Sequence, residues 1–189
     1  MGVEMAAVSI VSQEILNPQL HIEGSASLNS VLRVSGAKNS ALVLMTATLL
    51  CPEPVELCNV PDLTDIAGMT EILESLGVRV ERDGDRMVLD ASTLTSHEPP
   101  YELVNSLRAS FFSIGSLLGR LGHAKVPLPG GCRIGARPVV EHIRGLKALG
   151  AHVTVEHGVV SASVPGTKKR LKGVPIVLAC PSVGATETV

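Results

Sequence analysis

The chain has 189 residues, 45% of them hydrophobic, and a formal net charge of −2. That length buries a real core in one or two domains, and no uninterrupted apolar run approaches the ~20 residues needed to cross a bilayer. Weak negative charge and only three aromatic residues, Tyr101, Phe111 and Phe112, argue against a nucleic-acid partner, which asks for a basic face and stacking platforms.

In chain order, Met1 to Leu16 lacks a basic segment and is interrupted by Glu4, Ser9, Ser12, Gln13 and Glu14. It is no secretory signal, and Ala6 stands where a myristoylation site needs Ser or Thr. Residues 1–19 therefore read as an N-terminal extension. Cys51, Cys58, Cys132 and Cys180 form no C-x-x-C pair, so reduced thiols in a cytoplasmic protein are expected.

From Ser35 onward the pattern alternates between helical and strand periods. Ser35-Gly36-Ala37-Lys38-Asn39 opens an apolar helix from about Lys38 to Leu50. A second helix ends in Leu76-Gly77. A strand follows at Val78-Arg79-Val80-Glu81, then a tight turn at Asp83-Gly84 and a strand at Met87–Leu89. The order then recurs. An apolar helix spans about Tyr101 to Leu121 and carries Ser106-Leu107-Arg108-Ala109-Ser110; another ends in Leu149-Gly150. A strand from Ala151, a turn at His157-Gly158 and a strand at Val159–Val164 complete the second unit. Each unit reads helix, strand, helix, strand, strand, and such self-similarity means stacked units that share a buried face. A strand-like Val174–Leu178 leads into a third start, Ser182-Val183-Gly184-Ala185-Thr186. Ser35 and Ser106 lie 71 residues apart, and Ser106 and Ser182 lie 76 apart. On this reading the chain stops inside a third unit. It is expected to be truncated, poorly stable and inactive by itself.

Between the second unit's first strand and its next helix lies Pro129-Gly130-Gly131-Cys132-Arg133-Ile134-Gly135-Ala136-Arg137-Pro138. Glycines let a ligand approach the backbone, Pro138 suits a first helical turn, and a helix N-terminus beside two guanidiniums favours thiolate and attracts phosphate. A small buried cysteine in an ordinary turn is the plainer alternative. Lys168, Lys169, Arg170 and Lys172 read as a solvated loop. His152 and His157 flank a strand on opposite faces, so no metal site is expected from them. No dinucleotide or Walker fingerprint appears, so no cofactor is implied.

With the cysteine turn and the Ser-Gly-Ala-Lys-Asn, Leu-Arg-Ala-Ser and Ser-Val-Gly-Ala-Thr segments in order, the chain resembles the UDP-N-acetylglucosamine 1-carboxyvinyltransferase family from about His21 to Val189. The resemblance implies an α/β (α+β) fold, an inside-out α/β barrel of repeated βαβαββ-like units, incomplete here. Residues 20–34 would be a strand segment belonging to a second, absent domain, and 35–189 two units of the first domain plus the start of a third. The implied activity transfers the enolpyruvyl group of phosphoenolpyruvate to the 3′-hydroxyl of UDP-N-acetylglucosamine and releases phosphate, the first committed step of peptidoglycan synthesis. Cys132 would be the general acid, and Lys38, Asn39 and Arg137 would hold phosphoenolpyruvate. Arg108, Arg137, Pro138, Val139, Val140, Glu141, Ser182, Val183 and Gly184 would hold the sugar nucleotide. An aspartate acting on the 3′-hydroxyl and an arginine closing over phosphate would come from the second domain. Val140 departs from an Asp common in the family, with Glu141 next to it, and Cys180 stands where some members carry Lys. The rival readings are the related enzyme of shikimate metabolism and a non-catalytic half-domain that binds a UDP-sugar or a partner chain.

Overall fold

A computed structural model of the chain describes residues 24, 29–129, 139–166 and 170–189. The chain falls into two units, Met1–Val34 and Ser35–Val189. In the first, residues 29–34 form no strand, and Val31, Leu32 and Val34 are exposed. The strand expected over 20–34 is therefore not formed in the part described, which has no ladder partner to satisfy its backbone.

Ser35–Val189 carries the repeat. Its first copy is α1 (Lys38–Ala47) with a 3₁₀ turn (Thr48–Leu50), β1 (Val55–Leu57), α2 (Thr64–Ser75), β2 (Arg79–Asp83) and β3 (Arg86–Asp90). The second copy is preceded by α3 (Tyr101–Ser106). It comprises a 3₁₀ turn (Arg108–Phe112) running into α4 (Ser113–Leu121), then β4 (His123–Pro127), α5 (Val140–Ala148), β5 (His152–Glu156) and β6 (Val159–Ser163). A last helix, α6, covers Val183–Thr188.

The two sheets have one topology. Their orders are β1-β3-β2 and β4-β6-β5, antiparallel throughout. In each, the central strand is the last in sequence, and a helix links the two outer strands. Pro127 can end β4 because an edge position needs no donor on its outer side.

The helix ends follow the expected chemistry. Gly77 and Gly150 take φ of +99° and +92° just past α2 and α5, the left-handed backbone that closes a helix and favours glycine. The β5–β6 loop is His157-Gly158, with φ of +50° and +78°, the double positive φ of a type I′ hairpin turn. The other hairpin sits one residue later than expected. Asp83 pairs with Arg86, so the loop is Gly84-Asp85. Gly84, at φ +59°, takes the first loop position because it adopts that backbone without a Cβ clash.

Two helical expectations change. The helix expected over Tyr101–Leu121 breaks at Leu107, which has extended backbone (φ −130°, ψ 109°). Ser110 supplies a local alternative, donating its hydroxyl to the carbonyls of Val104 and Leu107. Arg108 thus lies in the 3₁₀ turn behind the break and not inside an apolar helix. The strand expected at Val174–Leu178 does not form, and most of that segment is exposed. Neither sheet extends to it, and a lone strand cannot satisfy its backbone groups.

One hydrophobic core joins the two copies. It takes Met45 and Leu49 from the first helix, Ile66, Met69, Ile72 and Leu73 from α2, and Ile114, Leu117 and Leu118 from α4, all fully buried. Met87 and Leu89 on β3, and Val160 and Ala162 on β6, close it from the sheets. Spacing of i, i+3, i+6 and i+7 on α2 is what one face of a helix requires. Among the described residues, no helix is long and apolar enough to cross a membrane.

Candidate functional site

The Ser-led starts of the three repeats meet at one cleft. Gly36 makes the first possible. A Cβ there would lie 1.8 Å from the Asn59 carbonyl oxygen, so only glycine lets these backbones touch. The Gly36 N–H donates to Asn59 Oδ1 at 3.1 Å. The motif's glycine is thus explained by packing, and it places Lys38 and Asn39 at the mouth of α1.

The cleft has a volume of about 750 Å³. Lys38 and Asn39 line it from α1, Arg108 from the 3₁₀ turn, Val139, Val140 and Glu141 from the start of α5, and Ser182, Val183 and Gly184 from the start of α6. Nine of the expected site residues, scattered over the chain, are therefore neighbours. Cys132, Arg137 and Pro138 lie outside the described residues.

Lys38 opens α1, where the helix dipole disfavours a cation by roughly 0.3–1 kcal/mol, and α1 has no acidic residue in its first turn. Asp65, in the first turn of α2, supplies the counter-charge: its Oδ2 lies 2.5 Å from Lys38 Nζ. The two side chains are 45% and 35% exposed, so the pair is worth no more than about 1 kcal/mol. A doubly charged phosphate can displace it.

Glu141 is committed elsewhere. Its Oε2 accepts from the Ala179 N–H at 2.8 Å and its Oε1 lies 3.4 Å from Arg144 Nε. It pins the segment before α6 onto α5. Ser182 Oγ accepts from the Ala185 N–H at 3.2 Å and caps α6.

His142 is the residue that sequence reasoning missed. Only 7% exposed, it lies one residue past Glu141, with its ring edge-on to Phe111 at a centroid distance of 5.3 Å. The ring also packs on Gly184: a Cβ there would stand 3.1 Å from His142 Nε2. Burial, and then the charge of Arg108, hold its pKa below the ordinary 6.5. Its Nδ1 is the one buried side-chain nitrogen or oxygen without a hydrogen-bond partner among the described residues. Such an orphan costs about 1–3 kcal/mol. Asp65 was missed too. In sequence it is an ordinary acid at a helix start, and His142 is a lone histidine on an apolar helix face; neither carries a local signal. Elsewhere, His157 sits in the hairpin turn and not on a strand, and no group of three or more His, Cys, Asp or Glu is placed to hold a metal among the described residues.

Comparison with known proteins points to one group. Residues 22–189 match the family model described as EPSP synthase (3-phosphoshikimate 1-carboxyvinyltransferase). The chain is 77% identical over 184 residues to a Parasynechococcus marenigrum (strain WH8102) protein named UDP-N-acetylglucosamine 1-carboxyvinyltransferase, covering 97% of this chain and 42% of that protein. It is 58% identical to a Synechocystis protein of the same name, covering 90% and 39%. The chain thus spans about two fifths of the length of these curated relatives. Among solved structures, the enolpyruvyl transferase NikO from Streptomyces tendae superposes with a TM-score of 0.65 at 24% identity, over 79% of this chain and 32% of that one. An EPSP synthase from Acinetobacter baumannii gives 0.62 at 16% identity, over 83% and 36%. At these identities the structural likeness speaks for the fold alone.

Proposed function

Because the chain belongs to the EPSP synthase (3-phosphoshikimate 1-carboxyvinyltransferase) family, we propose that its cleft serves transfer of the enolpyruvyl group of phosphoenolpyruvate to the 3′-hydroxyl of UDP-N-acetylglucosamine. The observation that carries this reading is the meeting of Lys38, Asn39, Arg108 and Ser182–Gly184 in one cleft. The name borne by relatives more than 70% identical supports the sugar nucleotide as acceptor.

On this reading the Lys38 ammonium leaves Asp65 for the phosphate of phosphoenolpyruvate, and Asn39 donates a hydrogen bond beside it. Arg108 serves the nucleotide, with the Ser182 hydroxyl and the Val183 and Gly184 backbone. The sugar 3′-oxygen forms a bond to C2 and gives up its proton to a base, while Cys132 delivers a proton to C3. The C2–O bond to phosphate then breaks, C3 loses a proton, and the enol ether remains. Lys38 and Arg137 act as fixed charges around the phosphate throughout. Cys132 must hold its proton, so its pKa has to sit near the working pH. The setting that goes with this reaction is peptidoglycan synthesis in the cytoplasm.

Phosphate release on mixing phosphoenolpyruvate and UDP-N-acetylglucosamine with the complete gene product tests the reading. Cys132→Ser is expected to abolish it and Cys132→Asp to retain it, because a carboxylic acid also delivers a proton. Undiminished turnover in Cys132→Ser would remove the thiol from this role. Release with shikimate 3-phosphate in place of the sugar nucleotide would move the chain to the other branch of its family.

A further inference from the structure

We propose that residues 93–98, in the connection between the two repeat copies, are a pH-sensitive clasp that holds the edge of β4 at neutral pH and releases it locally when His97 and His123 take up protons. The proposal is independent of the cleft and of the function assigned to it.

The segment is fastened at both ends. On the first copy, the Thr93 hydroxyl donates to the Gly77 carbonyl at 2.7 Å, and the Thr95 and Ser96 N–H groups donate to the Leu76 carbonyl at 3.0 and 3.1 Å. On the second copy, the His97 carbonyl accepts from the Lys125 N–H at 2.9 Å, and Glu98 Oε2 lies 3.2 Å from Lys125 Nζ. β4 is an outer strand of its sheet, so the clasp covers an edge N–H that would otherwise stand open. No titratable side chain takes part in the first set of bonds. The second set is surrounded by them.

His97 meets His123 of β4 edge to face, with ring centroids 4.3 Å apart, and both residues are partly buried. His123 Nδ1 lies 3.1 Å from the Leu121 carbonyl oxygen. A carbonyl only accepts, so Nδ1 carries the hydrogen and a further proton must enter at Nε2. Lys125 on β4 and His152 on β5 line the same hollow as the two rings, and His123 and His152 flank Ser163 across the sheet. Glu98 is the carboxylate that bears on His97, and it is already paired with Lys125. Burial, and then the charge of His123, hold His97 below the ordinary 6.5 against the opposing pull of Glu98. A lowered pKa means that the closed clasp resists the proton. Closure is therefore favoured above about pH 6.5 and weakens as pH falls through the folded value. Two imidazoliums at this distance, with an ammonium beside them, repel one another. Moving the strap away relieves this most cheaply, because one backbone bond and an ion pair with both partners nearly half exposed hold it to β4.

Hydrogen exchange at single amides of the intact protein, corrected for the intrinsic rate at each pH, tests the clasp. Between about pH 7.5 and 5.5, protection of the Lys125 amide should fall by roughly three- to tenfold, while Val160 on the central strand β6 keeps its own. His97→Phe, which leaves a ring against His123 without a proton site, should hold Lys125 protection within about twofold over the same range. In wild-type protein labelled with ¹⁵N at histidine, the His97 ring should titrate in step with the loss at Lys125. Lys125 protection that is constant with pH, or that falls alike in wild type and His97→Phe, would overturn the proposal. So would an equal loss at Val160, which would report global unfolding. If His97→Phe does not fold, the ring titration decides: a His97 midpoint separate from that of the Lys125 amide rules the clasp out.

Discussion

The Lys38–Asp65 pair shows how a single contact can tune a site. A cation at the start of a helix is out of place electrostatically, and Asp65 on the neighbouring helix corrects this at 2.5 Å. Because both side chains remain partly exposed, the correction is weak, and under the proposed function a phosphate competes for the same ammonium. Asp65→Asn should therefore tighten binding of phosphoenolpyruvate by about two- to fivefold at low salt, matching loss of a competitor worth up to about 1 kcal/mol. Isothermal titration would measure it. Weaker binding in this variant would mean that Asp65 positions the ammonium productively and does not compete for it.

At the scale of elements, α6 is held by close backbone approach and not by a broad apolar face. It is six residues long, too short to persist alone. A Cβ on Gly115 of α4 would come within 2.1 Å of the Thr188 carbonyl oxygen. Gly115→Ala should push α6 away from α4, at a cost of about 1–3 kcal/mol. Hydrogen exchange should then accelerate at Ala185 and Thr186 while β3 stays protected. Unchanged protection of α6 would show that Glu141 and the Ser182 cap suffice to hold it. The same movement would withdraw Gly184 from His142, so the cleft's order depends on this helix contact.

For Ser35–Val189 as a whole, one core serves both repeat copies, so stability is a shared property with a shared pH dependence. Burial and the neighbouring His123 hold His97 below the ordinary 6.5, and burial and Arg108 do the same to His142. A lowered histidine pKa means that the folded state resists the proton. This contribution is fully present above about pH 6.5 and is lost as pH falls through the folded values. Urea unfolding should show a lower midpoint at about pH 5.5 than at about pH 7.5. His97→Phe should flatten the change by removing one titrating ring. Glu56 and Asp90, whose pKa values are lowered by hydrogen bonds from Arg86 and Ser92 respectively, act in a separate window near pH 4 and below. A midpoint constant between about pH 7.5 and 5.5 would show that neither ring matters to folding.

Much of this architecture was legible in the sequence because it rests on local rules. Leu-Gly endings, hairpin turns and the 71-residue spacing from Ser35 to Ser106 are set by backbone sterics and periodicity, which a chain carries without knowing its fold. They located both copies, the helix–strand order and the helix starts where Lys38 and Ser182 stand. Local rules failed where partners decide the outcome. The break at Leu107 depends on where Ser110 sends its hydroxyl, and Val174–Leu178 has strand propensity but no neighbour to pair with. The site divides the same way. Motifs identified the residues at the three repeat starts, whereas the Asp65 counter-ion, the occupation of Glu141 and the unpartnered Nδ1 of His142 arise from contacts made across the sequence. Composition and periodicity determine which elements can form. Only tertiary packing determines which polar groups are satisfied.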